Sequence, residues 1–290
     1  MMRDSGPASL AWPFPPPTLT LEPNEAHVWL VEANDAVVRA SRLETLLSSA
    51  ERERAAKFKF EKDRRLYTVT HAALRSILAG YLNVAPGDLE FEIGRRGKPR
   101  LAPNFSKDSL EFNLSHSFEV ALIAVTRERE IGVDVEHIKK EFAFAEVAER
   151  YFTTREVSAI RALPEDLQRR AFYQCWTSKE AFLKAKGVGL SGELDEVEIL
   201  FGGEGGAPRA NPWHLPVGPG GGILSQSPGP RPGLESKDRV QVKNTLPGWH
   251  LSELNPCDGY VGAIALEINK CDLRCYRWPR PAQETSHSHP

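Results

Sequence analysis

Hydrophobic and polar positions follow two rhythms along this chain, and each change of rhythm marks an element. His27-Val-Trp-Leu-Val31 is a continuous apolar run, the pattern of a buried strand. A helix starts at Ser41, which caps it with Glu44 three positions on, and runs to Leu47. Apolar residues return at helical spacing from about Leu66 to Tyr81, and Val120 to Val125 is a second apolar strand run. Gly132-Val-Asp-Val-Glu136 alternates strictly, which puts Val133 and Val135 on one face and Asp134 and Glu136 on the other. Helical spacing resumes at Glu146, breaks at Tyr151-Phe152, and restarts behind a cap at Thr153 or Thr154. The longest helix is expected from Asp166 to Lys186, where Gly187 stops it behind basic residues in the last turn. Arg239 to Lys243 and Tyr260 to Leu266 read as further strands.

On the Asp166 helix, Phe172, Cys175, Trp176, Phe182 and Leu183 form one apolar stripe, with Glu180 and Lys184 one turn apart along its border. That pair is either an ordinary surface ion pair or two charges facing a cleft. Lys179 falls inside the stripe, where a lysine needs a reason unless its stem merely snorkels to solvent.

Two stretches repeat each other. Trp249-His-Leu-Ser before Tyr260 to Leu266 has the rhythm of Phe112-Asn-Leu-Ser-His before Val120 to Val125. His71-Ala-Ala-Leu-Arg-Ser-Ile-Leu follows a charged stretch much as the Trp176 helix follows Tyr151-Phe152. The expected fold is therefore α+β, a pseudo-dimer of two similar α+β halves, residues 25–130 and 131–270, with a cleft between them. Residues 1–24, rich in proline, read as a flexible leader; 202–233 as a Gly/Pro-rich insertion without periodicity; and 271–290 as a tail.

Composition changes this picture little. The hydrophobic share of 41% and charged share of 26% are those of a soluble globular protein. A net charge of −2 gives no general attraction to nucleic acid or to an anionic membrane, so an anionic ligand must meet a local basic cluster. No apolar run reaches the roughly 20 residues of a membrane span, and the proline-rich start does not resemble a signal peptide. A cytoplasmic protein acting as a monomer, with no nucleic-acid or membrane partner, is expected. The four cysteines lack paired spacing and read as reduced thiols, Cys175 in the core.

Basic clusters do occur. Ser49 to Lys62 alternates acids with Arg52, Arg54, Lys57, Lys59 and Lys62, as either a solvated face or a phosphate-binding edge. Gly94-Arg-Arg-Gly-Lys-Pro99 is either a basic hairpin tip or a turn whose amides and cations meet an anion together. Phe112-Asn-Leu-Ser-His-Ser117 places Ser115 and His116 at a strand entrance, without the third member of a hydrolase triad. Asp134 and Glu136 on one strand face want a cation between them, and a third carboxylate such as Glu180 would suit Mg²⁺, which keeps several waters and binds a substrate phosphate.

Five of these motifs in order, Gly97-Lys-Pro99, Phe112 to Ser117, Gly132 to Glu136, Phe152 with Glu156, and Trp176-Thr-Ser-Lys-Glu-Ala-Phe-Leu-Lys184, resemble 4′-phosphopantetheinyl transferases of the surfactin-synthetase-activating type. The resemblance spans roughly residues 26 to 268. It implies transfer of 4′-phosphopantetheine from coenzyme A to a serine of an apo acyl or peptidyl carrier protein, with Mg²⁺ bound and 3′,5′-ADP released. It implies Asp134, Glu136 and Glu180 as metal ligands, Glu180 also as base, and Lys184 as proton donor to the departing phosphate. Arg54, Arg95, Arg96, Lys98, Asn113, Ser115, His116 and Lys179 fall on or beside its coenzyme A contacts. Two other readings of the same residues are a non-catalytic carrier-binding module and a Mg²⁺-dependent nucleotide hydrolase.

Overall fold

A computed structural model describes residues 12–33, 43–94, 97–188, 194, 197–199 and 248–278. Within them the chain is mixed helix and sheet, as expected. Strand β1 (Glu25–Glu32) leads into helices α1 (Ser49–Ala56) and α2 (Glu61–Leu82), then the short hairpin β2 (Phe91–Ile93) and β3 (Pro99–Leu101). β4 (Leu110–Ser117) and β5 (Val120–Arg127) form a second hairpin, followed by β6 (Ile131–His137). Helices α3 (Phe144–Tyr151), α4 (Thr154–Arg161) and α5 (Glu165–Lys186) come next, then β7 (His250–Leu254), β8 (Tyr260–Leu266) and β9 (Asp272–Arg277).

The strands form one sheet in the order β4-β5-β1-β9 and another in the order β6-β8-β7, besides the β2-β3 hairpin. Period two decides what each face meets. In the first sheet Trp29, Val31, Ala121, Ile123 and Val125 pack on α2, while Val28, Leu30, Leu122 and Ala124 face the second sheet. In the second, Val133, Val135 and Ile264 return that contact, and Val261, Ala263 and Ala265 pack on α5. Each sheet thus has a 22-residue helix on its outer face.

Local chemistry fixes the helix ends. Thr153 caps α4 in a reciprocal capping box with Glu156, and Ser48 caps α1 in the same way with Glu51. Gly187, at φ +65°, closes α5 in the left-handed conformation that glycine adopts without a Cβ penalty. The helix expected from Ser41 starts outside the described residues, as do the expected strand from Arg239 and the insertion at 202–233.

Two expectations at the chain's extremities differ from the structure. Residues 272–277, expected as tail, are β9, which runs parallel to β1 with Val28 opposite Cys275. Within the expected flexible leader, Trp12 and Leu21 are buried, and the Trp12 indole N–H donates to Asn255 O at 3.0 Å. In both, apolar side chains gain cover from sheet edges that no local pattern reveals. The four cysteines are unpaired, with Cys175 in the core.

Candidate active site

The site forms where β4 of the first sheet meets β6 of the second and α5 crosses above them. Alternate residues of β4 stitch the seam with side chains. Asn113 Oδ1 accepts the Val133 N–H at 2.9 Å, and Ser115 Oγ donates to Asp134 Oδ1 at 2.7 Å. Ser117 Oγ accepts the His137 N–H at 3.1 Å and donates to Glu136 Oε2 at 2.8 Å. These bonds fix the orientation of Asn113, Ser115 and Ser117 across the seam and hold Asp134 and Glu136 against it.

α5 can come close because β6 offers no side chain at Gly132. A Cβ there would overlap the Ala181 carbonyl oxygen and the Ala185 amide nitrogen. This approach sets Glu180 and Lys184 against the strand that carries Asp134. Lys184 Nζ donates to Asp134 Oδ1 at 2.6 Å and to Ser115 Oγ at 2.9 Å. Glu180 and Asp134 are each about 4% exposed, and each keeps one buried oxygen, Glu180 Oε1 and Asp134 Oδ2, without a hydrogen-bond partner.

Such atoms are costly, and the carboxyl responds by holding its proton. Burial first, then the charges of Asp134 and Glu136, push the Glu180 carboxyl up to about 7 against the opposing pull of Lys184. Burial and then Asp134 also raise Glu136, while Ser117 and Lys184 oppose the shift. A carboxyl that is half ionised near neutral pH is matched to taking and returning a proton.

Among the described residues no three carboxylate, imidazole or thiol groups converge into a metal cage. Asp134, Glu136 and Glu180 are neighbours, yet Lys184 and Ser115 occupy Asp134 Oδ1 and Ser117 occupies Glu136 Oε2. The buried oxygens of this set without a hydrogen-bond partner are Asp134 Oδ2 and Glu180 Oε1.

Imidazoles and a cation flank the site on the α2 side. The Arg54 guanidinium lies 5.6 Å from the centre of the Tyr67 ring, and Tyr67 stacks on His71 with centroids 4.0 Å apart. His71 and Arg75 both reach the Glu51 carboxylate, at 3.2 and 2.6 Å. Burial would raise that carboxyl, but bonds from His71, the Ser48 N–H and Arg75 outweigh it and hold it at about 2. His116 on β4 has its imidazole lowered by desolvation, then by the Lys184 and His71 charges. Lys98 Nζ donates to Ile131 O at 3.1 Å, three residues before Asp134. Arg95 and Arg96 lie outside the described residues.

Two residues expected among ligand contacts make bonds within the protein. Lys179 is fully buried, and its ammonium donates to Glu156 Oε2 at 2.8 Å, Leu194 O at 2.6 Å and Val197 O at 2.5 Å. All three donors are used, so none is left for a phosphate. The partner carboxylate is that of the α4 capping box, which also receives the Ile199 N–H at 2.6 Å, and the pair ties α4, α5 and the segment after α5 together. Lys179→Ala, by stranding Glu156, is expected to cost about 3–5 kcal/mol of stability in urea unfolding. A loss below 1 kcal/mol would contradict this role. Asn113, likewise, has its amide oxygen committed to Val133. Sequence reading missed Ser117 as a support of Glu136 and the pairing of His71 with Glu51; the alternation of polar residues along β4 was the available signal for the first.

A buried carboxyl poised near neutrality, beside a lysine and a second carboxylate, can exchange a proton with a group bound there. Comparison with known proteins specifies it further. Residues 130–215 match the 4′-phosphopantetheinyl transferase superfamily, and residues 38–128 match the N-terminal region of 4′-phosphopantetheinyl transferases. The chain is 36% identical over 255 residues to the 4′-phosphopantetheinyl transferase HetI of Nostoc sp., covering 88% of this chain and 93% of that one. It is 32% identical to the human L-aminoadipate-semialdehyde dehydrogenase-phosphopantetheinyl transferase, over 55% of this chain and 56% of that one. It is 29% identical to a 4′-phosphopantetheinyl transferase of Bacillus subtilis, over 57% and 70%. The chain belongs to the 4′-phosphopantetheinyl transferase family and is an enzyme of that activity.

Proposed function

We propose that the enzyme moves 4′-phosphopantetheine from coenzyme A to a serine of an apo acyl or peptidyl carrier protein, in a Mg²⁺-dependent reaction that releases 3′,5′-ADP. The observation that carries this reading is Glu180, with its unpartnered Oε1 and a carboxyl held at about 7 beside the Asp134–Lys184 pair. The serine hydroxyl gives its proton to Glu180 as its oxygen bonds to the phosphorus that carries pantetheine. The bond from that phosphorus to the bridging oxygen breaks, and Lys184 neutralises or protonates the departing phosphate. His116, His71 and Arg54 supply a wall of donors for the nucleotide phosphates.

The unpartnered oxygens of Asp134 and Glu180 suit a hard cation that brings most of its own water, and Glu136, on the same face of β6 as Asp134, would join them. When bound, the metal would neutralise pyrophosphate charge. Strand order supports a duplicated architecture of the surfactin-synthetase-activating type: β4-β5-β1 with α2 in one sheet corresponds to β7-β8-β6 with α5 in the other. One chain supplies both walls of the cleft, which favours action as a monomer.

Asp134→Ala should remove transfer, by about 10²-fold or more, and abolish the metal dependence of coenzyme A binding measured by calorimetry. Mass spectrometry of apo carriers incubated with coenzyme A and Mg²⁺ tests the reaction itself. Breakdown of coenzyme A at the same rate without any carrier would instead assign a hydrolase.

A further inference from the structure

The β4-β5 hairpin turns on two residues, Phe118 and Glu119, between paired Ser117 and Val120. Phe118 stands at φ +55°, at the position where a two-residue hairpin takes glycine. For a bulky side chain that conformation costs roughly 1–2 kcal/mol. Burial does not offset the cost, because the ring is 59% exposed. It is nevertheless fixed: Phe118 stacks on His137 with centroids 5.1 Å apart and planes 27° apart, and His137 packs on Tyr260 at 4.9 Å. Tyr260 Oη in turn accepts the Glu119 N–H at 3.3 Å. A strained, rigid and exposed aromatic residue directly follows the serine that supports Glu136.

The surroundings are basic. Glu119 pairs at 3.6 Å with Arg65, near the start of α2, where Phe60 and Phe58 are also exposed. Lys139, Lys140 and the exposed Phe142 follow β6 directly after His137 and Ile138. Segments 57–65, 118–119 and 139–142 together hold seven lysines and arginines against four acids, in a chain whose net charge is −2. Aromatic residues set among cations are complementary to an apolar protein surface ringed by carboxylates.

We propose that Phe118 is the docking anchor for the acceptor protein, whose apolar side chains next to the modified serine seat on this ring and whose acidic face meets the basic rim. The proposal rests on the transferase reading above and adds the acceptor contact to it. An anchor of this kind contributes to binding the protein substrate and leaves coenzyme A untouched.

The test uses the full chain with Mg²⁺, coenzyme A and an acidic apo acyl carrier protein. Phe118→Gly removes the ring and suits the backbone, so the thermal midpoint should hold or rise. The KM for the carrier should rise about tenfold, a loss of about 1.4 kcal/mol, with kcat and coenzyme A affinity within about threefold. Phe118→Trp should restore the KM. Lys139→Glu with Lys140→Glu should raise the KM further and flatten its dependence on salt. An unchanged carrier KM in an active Phe118→Gly enzyme would overturn the anchor alone. Binding to phosphatidylglycerol vesicles lost in these variants, with carrier KM unchanged, would assign the rim to lipid and overturn it too. Failure of the wild-type protein to modify any carrier would overturn the transferase reading and the anchor with it.

Discussion

Gly132→Ala is expected to cost the enzyme both stability and activity, although the change adds one methyl group far from solvent. The added Cβ overlaps backbone atoms of Ala181 and Ala185, which cannot rotate away as a side chain would. Helix α5 must therefore lift from β6. Overpacking of this kind costs about 1–3 kcal/mol, and the rigid partners here favour the upper end. The same displacement moves Glu180 and Lys184 away from Asp134, and a shift near 1 Å at reacting groups lowers rate by about 10²-fold. Urea unfolding and a transfer assay on the folded variant measure the two effects separately. A variant with wild-type stability and rate would show that α5 is not seated through this contact.

Glu180→Gln should move stability and activity in opposite directions. Glutamine cannot act as the base proposed for Glu180, so transfer should fall by about 10²-fold or more. In chelated protein the stability effect follows from linkage. The Glu180 carboxyl titrates at about 7 in the fold against 4.5 as its unperturbed value, so between those limits the native state holds a proton that the unfolded state has lost. Wild-type stability therefore falls as pH rises from about 4.5 to about 7, and the variant escapes that loss. The gap between their unfolding free energies should be small near pH 4, widen through the window, and level off above it at roughly 3 kcal/mol. A gap that does not change with pH would mean that the fold does not hold the Glu180 proton.

What the sequence made legible was local. Alternation along Gly132 to Glu136 sufficed to put Asp134 and Glu136 on one face, because period two is a property of the strand alone. Thr153 as a cap and Gly187 as a stop were legible for the same reason: cap chemistry acts over three or four residues. Lys179 was not. Its oddity inside an apolar stripe was visible, but its partner Glu156 lies on another helix and its two carbonyl acceptors on a segment beyond α5. The family motif carried Lys179 toward the ligand, whereas geometry gives it a structural place. The Asn113–Ser115–Ser117 seam was hidden in the same way, since it joins two sheets whose relative placement no single stretch encodes. β9 was missed because its six residues alternate weakly and gain their meaning only beside β1.

β9 also imposes an order of events during synthesis. β1 pairs on one side with β5, about a hundred residues on, and on the other with β9 near residue 275. Until that last strand emerges from the ribosome, β1 presents an open backbone edge, and the cover that Tyr276 gives to Trp29 and His27 is missing. At 5–20 residues per second the interval between β5 and β9 lasts about 7–30 s, long compared with hairpin formation. The nascent chain therefore carries an adhesive strand through most of its translation, and the first sheet is completed last.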